Sequence, residues 1–144
     1  MSDPSDTGDT GETSDAGGAT TLAAAPTLGM LTIDCADAGA AADFWSALMG
    51  WEVAMSGDGY AMLVGDGLRV GFGTVPDYEA PAWPNPHGSK QFHLDLSCAD
   101  IAAVEARAVG LGASVADPQG GDTWRVLVDP SGHPFCLTDA KNWG

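Results

Sequence analysis

A chain of 144 residues with 44% hydrophobic and 17% charged residues fits one globular domain with a real core. Its net charge of -15, with only five Lys and Arg, argues against a nucleic-acid or anionic-membrane surface, which would need clustered cations. No stretch approaches the roughly 18 apolar residues of a membrane span.

Residues 1–27 are Ser, Thr, Asp and Gly with five acidic residues and no Lys or Arg. They lack the basic end and apolar run of a secretory signal, and they cannot bury enough surface to offset the entropy of ordering. The expectation is a disordered acidic tail over 1–27 and a single folded domain over 28–144. Three cysteines, Cys35, Cys98 and Cys136, with no CxxC pattern, predict buried thiols in a reduced, cytoplasmic protein.

The domain opens with a strand over Gly29–Asp34 and a helix over Ala38–Met49, capped by Asp37 and stopped by Gly50. Strands follow at Trp51–Ser56, Tyr60–Val64 and Leu68–Thr74, joined by Gly-Asp-Gly turns at residues 57–59 and 65–67. Proline density makes Pro76–Lys90 an extended crossing. The order then repeats: a strand over Lys90–Ser97, a helix over Ile101–Val109 capped by Asp100, and strands at Ser114–Asp117, Thr123–Val128 and Pro134–Thr138. Phe92 is placed on the core-facing side of its strand, opposite His93.

The two halves also echo in sequence. Leu31-Thr-Ile-Asp-Cys-Ala-Asp37 returns 63 residues later as Leu94-Asp-Leu-Ser-Cys-Ala-Asp100. Phe72 and Phe135 share that offset. Two copies of one supersecondary unit, about 28–76 and 90–140, predict a pseudo-symmetric domain with a cleft.

Four features carry a resemblance to the vicinal oxygen chelate superfamily, the glyoxalase/bleomycin-resistance/dioxygenase group, and within it to the glyoxalase-like domain subgroup. They are Asp37 with Phe44-Trp45 and Met49-Gly50, His93 seven residues before Asp100, Leu111-Gly-Ala113, and Asp129-Pro-Ser-Gly-His-Pro-Phe135. The resemblance covers roughly residues 28–140. It implies an α+β fold in which two βαβββ modules form a rolled mixed sheet around a central cleft. It also implies metal ligands on the first and fourth strands of each module, at positions matching Met30, Gly73, His93 and Cys136. Members often pair as homodimers.

Gly73 has no ligand atom, and the thioether of Met30 is a poor donor to a hard or borderline ion. The expectation is therefore no metal and no other cofactor. A shifted set of His93, Asp95 and Asp34 is the alternative that would hold a divalent ion. Period-2 alternation puts Thr32 and Asp34 on the face of Met30, and Asp95 on the face of His93. A cleft lined by Thr32, Asp34, His93, Asp95, Trp83, Trp124 and Cys136 follows. The carboxylates Asp34 and Asp95 read in two ways: as a ligand-binding wall, or as a buried network with Arg69 or Arg125 as counter-ions. His133 and His87 read as a structural hydrogen-bonding residue and a solvated one. Trp45 reads as core.

The leading functional expectation is metal-independent binding of a small organic molecule, of the antibiotic- or metabolite-binding type. The alternatives are a metal-dependent lyase, isomerase or dioxygenase with a non-standard ligand set, and a metal-free enzyme using Asp34 and His93 as acid and base.

Overall fold

The computed structural model describes residues 25–144; the expected tail lies almost wholly outside these residues. Module 1 comprises β1 (Leu31–Cys35), α1 (Ala38–Met49), β2 (Glu52–Gly57), β3 (Tyr60–Gly65) and β4 (Leu68–Thr74). Module 2 comprises β5 (Asp95–Cys98), α2 (Ile101–Gly110), β6 (Ser114–Val115), β7 (Trp124–Val128) and β8 (Pro134–Asp139), followed by a 3-10 turn at Ala140–Trp143. Each module is a four-stranded mixed sheet, ordered β1-β4-β3-β2 and β5-β8-β7-β6. The first strand of each runs parallel to the fourth, and the rest are antiparallel.

Local chemistry sets the element ends. The Asp37 carboxylate accepts from the Ala40 N–H, and Asp100 does the same for Ala103, so each helix has a satisfied first turn. Gly50 ends α1 in the left-handed region at φ 71°, where a side chain would be strained. Asp66 and Gly67 both take positive φ, as the two-residue hairpin between β3 and β4 requires.

The core lies where the sheets pack against the helices. Cys35, Leu63, Val70 and Phe72 from the first sheet meet Phe44, Trp45 and Leu48 of α1, and Leu127, Phe135 and Leu137 from the second sheet close the cluster. Trp45 and Phe135 pack edge to face at 5.0 Å between ring centroids, joining the modules. Polar contacts reinforce the joint: the Trp45 indole donates to the Asp129 carboxylate at 3.0 Å, and the His133 ring donates to the Asp34 carbonyl at 2.7 Å. Arg107 also donates to the Ala47 carbonyl.

The expected α+β fold of two βαβββ modules is the one observed, with the two sheets not closed into a barrel. Two other expectations change. The strand expected from Lys90 starts at Asp95, since Gln91 adopts φ 55° and breaks the extended run. Phe92, placed in the core by alternation, is 98% exposed for the same reason.

Candidate functional site

In each sheet, alternate residues point away from the core, and the functional question is what the two outward faces carry. On the second sheet, Asp95 is the register partner of Cys136, so their side chains leave the same face of adjacent strands. His93 lies two residues before Asp95 and joins it, with Nε2 at 3.5 Å from the Asp95 carboxylate. Donor atoms of His93, Asp95 and Cys136 all lie within 4.8 Å of one another. Around them is an open recess of about 370 Å³, walled by Lys90, Trp124, Thr138, Asn142 and Trp143.

The three groups differ in setting. His93 and Asp95 are partly exposed, with side chains 27% and 38% accessible, whereas Cys136 is buried. Burial pushes the Cys136 thiol up to about 11; Lys90 offsets part of that rise and Asp95 adds to it. The His93 Nδ1 stands 3.4 Å from the Gln91 carbonyl, which can only accept.

Trp83 reaches this face from the connector. It packs with Cys136, Val126 and Ala116, its indole N–H is buried without a partner among the described residues, and the Lys90 ammonium sits 5.0 Å over its ring. Trp124 lines the recess directly.

The outward face of module 1 is built alike but carries different groups. Thr32 is the register partner of Gly71, as Asp95 is of Cys136. The offset between modules is 63 residues for the first strands but 65 for the fourth, because module 2 is two residues longer between them. The counterpart of Cys136 is therefore Gly71 rather than Gly73, and Phe72 answers to Leu137 rather than Phe135. A Cβ on Gly71 would lie 2.8 Å from the Met30 sulfur and 3.4 Å from the Thr32 hydroxyl. Met30, Thr32 and Gly71 thus stand where module 2 has His93, Asp95 and Cys136.

Several expected site residues separate. Thr32 and Asp34 belong to the first sheet and do not line the recess. Asp34 and Asp95 are exposed, so neither is the buried carboxylate that alternation suggested, and Arg125 instead pairs with Glu105 at 2.7 Å. Asp34 is not among the residues lining the recess that holds His93. His133 is a structural link, shared by Tyr78 and the Asp34 carbonyl, and His87 is exposed. Lys90, Thr138, Asn142 and Trp143 were missing from the sequence reading. Alternation from Cys136 would have found Thr138; Asn142 and Trp143 arrive through the terminal turn, where the Trp143 indole donates to the Thr138 hydroxyl at 2.9 Å.

A second cavity, of about 660 Å³, lies at the seam between the modules. Leu28, Leu31, Trp45, Leu48, Leu94 and Val104 make much of its lining, so it is largely apolar. The chemistry-bearing groups gather in the smaller recess, which makes that recess the better candidate site.

A divalent metal fits module 2 and not module 1. Tetrahedral bonds of about 2.0–2.3 Å place neighbouring ligand atoms roughly 3.3–3.8 Å apart. The 3.5 Å His93–Asp95 separation already meets this, and Cys136 needs only a small approach. Met30, Thr32 and Gly71 offer no imidazole, carboxylate or thiolate.

Comparison with known proteins agrees with this architecture. A family model described as "Glyoxalase-like domain" matches residues 30–138. A glyoxalase/bleomycin resistance protein/dioxygenase family enzyme from Burkholderia phytofirmans PsJN superposes with a TM-score of 0.58 at 14% identity, over 77% of this chain and 96% of that one. A glyoxalase family protein from Enterococcus faecalis gives 0.59 at 19% identity, over 78% and 97%. The fosfomycin resistance protein FosX from Listeria monocytogenes gives 0.60 at 13% identity, over 80% and 91%; a variant of it has been solved with Mn(II) and 1S,2S-dihydroxypropylphosphonic acid. No curated protein matches the chain.

Proposed function

Since the chain belongs to the glyoxalase-like domain family, we propose that it binds a small organic molecule in the recess on the outer face of the second sheet. The observation that carries this reading is the convergence of His93, Asp95 and Cys136 in an open recess flanked by Trp124. The indole gives a flat apolar surface for stacking, and the polar groups beside it fix orientation. Lys90 adds a positive charge at the rim, opposite in sign to the chain as a whole. An antibiotic or metabolite with an aromatic or unsaturated part and an oxygen-bearing group suits these surroundings.

The second reading is a metal-dependent lyase, isomerase or dioxygenase, and the same three donors favour it. A divalent ion held there would supply Lewis acidity toward a ligand oxygen. His93, Asp95 and Cys136 would hold it, while Lys90 and Trp124 would orient the organic molecule. The sequence reading took this site as metal-free, and the three donors within module 2 are what favour this second reading.

A second copy of this chain is the proposed partner. Module 1 exposes Met30 (42%), Met55 (53%) and Tyr60 (48%), and Phe92 stands 98% exposed beside His93. These apolar groups, with the unpaired edges of β1 and β5, suit closure of the open recess by another copy. A reducing, cytoplasmic setting fits the three free, buried thiols. None of the described helices is long and apolar enough to cross a membrane.

The test is a thermal-shift screen of antibiotics and metabolites against wild type, His93→Ala and Trp124→Ala. Ligands at about a hundred times Kd should stabilise the folded state by about 2.7 kcal/mol, a shift of several degrees. The reading expects compounds that stabilise wild type and lose most of that effect in both variants. Compounds that stabilise all three proteins equally would place the site elsewhere.

A further inference from the structure

We propose that the seam between the modules is a second binding site, for a lipophilic anion: an unbranched aliphatic carboxylate whose chain fills the cavity and whose head group meets Arg69. The site is separate from the recess on the second sheet, and the proposal does not depend on what the recess binds.

Three observations carry it. The first is volume and lining. At about 660 Å³ the cavity falls within the range of sites that enclose small ligands. Trp45 and Leu48 of α1, Val104 of α2, Leu31 of β1, and Leu94 and Leu96 around the start of β5 form its walls. Both helices and the first strand of each module therefore meet there. The second is wet apolar surface. Leu28, Leu31 and Leu68 line the cavity, yet all three are exposed. An exposed leucine alone means little, but three gathered on one cavity leave apolar area that a hydrocarbon chain would remove from water.

The third observation is charge. Asp66, Arg69 and Asp95 are the charged residues of the lining. The Asp66 carboxylate accepts the Trp51 indole N–H at 3.2 Å, and Asp95 is turned to His93 in the recess. Arg69 is exposed at the rim and pairs with no carboxylate among the described residues. In a chain of net charge -15, an unpaired guanidinium beside an apolar cavity favours an anion at this one place. Trp51 makes the rim a prepared one. Its ring lies over Gly65, where a Cβ would collide with it, and the bond to Asp66 fixes its edge.

Chain and head group then contribute unequally. Each methylene taken out of water should raise affinity about fourfold. An ion pair at an exposed rim adds about fivefold in all. Acetate and benzoate offer too little chain, so they should leave the seam empty at concentrations where decanoate saturates it.

The test is isothermal titration calorimetry of the full chain with hexanoate, octanoate and decanoate, and with 1-octanol as the uncharged match for octanoate. The expected result is one site per chain, with affinity rising about fourfold per methylene along the series. Arg69→Gln should weaken octanoate about fivefold and leave 1-octanol unchanged. Val104→Trp, which puts a larger ring into the cavity, should weaken decanoate by about tenfold or more. His93→Ala and Trp124→Ala, both in the recess, should leave decanoate binding as it is. Arg69 is exposed, so its variant should keep the fold, checked by circular dichroism, even if Val104→Trp does not. No saturable decanoate binding, affinity flat along the series, octanoate unaltered by Arg69→Gln or weakened no more than octanol, or full decanoate binding in a folded Val104→Trp would each overturn the proposal. Loss of decanoate binding in His93→Ala would overturn it too, by placing the aliphatic acid in the recess.

Discussion

Modules 1 and 2 share a scaffold but differ on their outward faces. Both cap the helix with aspartate, both pair first and fourth strands in parallel, and both direct Cys, Leu and Phe inward. Outward, module 1 presents Met30, Thr32 and Gly71, and module 2 presents His93, Asp95 and Cys136. Packing constrains the inner face, because any change of volume there is felt throughout the core. The outer face carries only a small packed cluster, of Trp83 with Cys136, Val126 and Ala116 in module 2, so two copies of one fold can diverge there at less cost in stability. The comparison locates function by difference.

The largest effects should fall on the shared part. Leu63→Ala in module 1 and Leu137→Ala in module 2 each remove a side chain 1% or less exposed. Both should lose about 3 kcal/mol in urea unfolding. A loss in one module of under half the other would break the claim that the scaffolds are equivalent.

A smaller contrast lies in the turns. Each module closes its last hairpin with an aspartate that accepts an indole N–H: Asp66 from Trp51 at 3.2 Å, exposed, and Asp129 from Trp45 at 3.0 Å, buried. Asp129 also accepts from the Ser131 and His133 amides. Asp129→Ala should cost about 2–3 kcal/mol by stranding a buried indole N–H and loosening the turn. Asp66→Ala should cost about 0.5 kcal/mol, since water replaces the carboxylate. Denaturant midpoints of the two variants decide the matter, and equal losses would refute the assigned asymmetry.

Alkaline pH should probe Cys136, which has Gly71 as its counterpart in module 1, together with Tyr78 of the connector. Burial raises the Cys136 thiol from 9.0 to about 11 and the Tyr78 phenol from 10.0 to about 12. Both are neutral in the fold at pH values where the unfolded chain has begun to release their protons. Their contribution is thus complete below about pH 9 and is lost as pH rises through 11 and 12. The urea midpoint should fall between about pH 8 and pH 11, and should fall less in Cys136→Ala than in wild type. An identical slope in the two proteins would mean that Cys136 is not shielded.

The smallest stability effect is expected at His93. Its ring is partly exposed and its contacts are the 3.5 Å approach to Asp95 and the weak one to Gln91. His93→Ala should cost about 1 kcal/mol or less, well below Leu137→Ala. Equal losses would make His93 a packing residue.

Much of this architecture is legible in the sequence because its signals are local. Asp37, Gly50 and Asp100 mark helix ends through their own hydrogen bonds and φ angles, and Gly-Asp-Gly marks the hairpins. The pairing of His93 with Asp95 on one face also follows from alternation. What the sequence hides is register. The 63-residue echo matches β1 to β5 but misplaces β4 against β8 by two residues, so Gly73 stood in for Gly71 and the Asp95–Cys136 pair went unseen. Alternation also assumes an unbroken strand, and the positive φ of Gln91 exposed Phe92 against that assumption. Alternation within a strand also says nothing of which strands share a recess, and Asp34, on β1, does not line the one around His93.

The central claim is that the outer face of module 2, and not that of module 1, is the site. Backbone amide chemical shifts, recorded while a set of small carboxylates, amines and aromatic acids is titrated in, test it most directly. The account predicts perturbations at His93–Asp95, Trp124 and Cys136–Thr138, with Met30–Thr32 and Arg69–Gly73 unmoved. Perturbations clustered on β1 and β4, or confined to the apolar seam at Leu28–Leu31 and Leu96–Cys98, would contradict it.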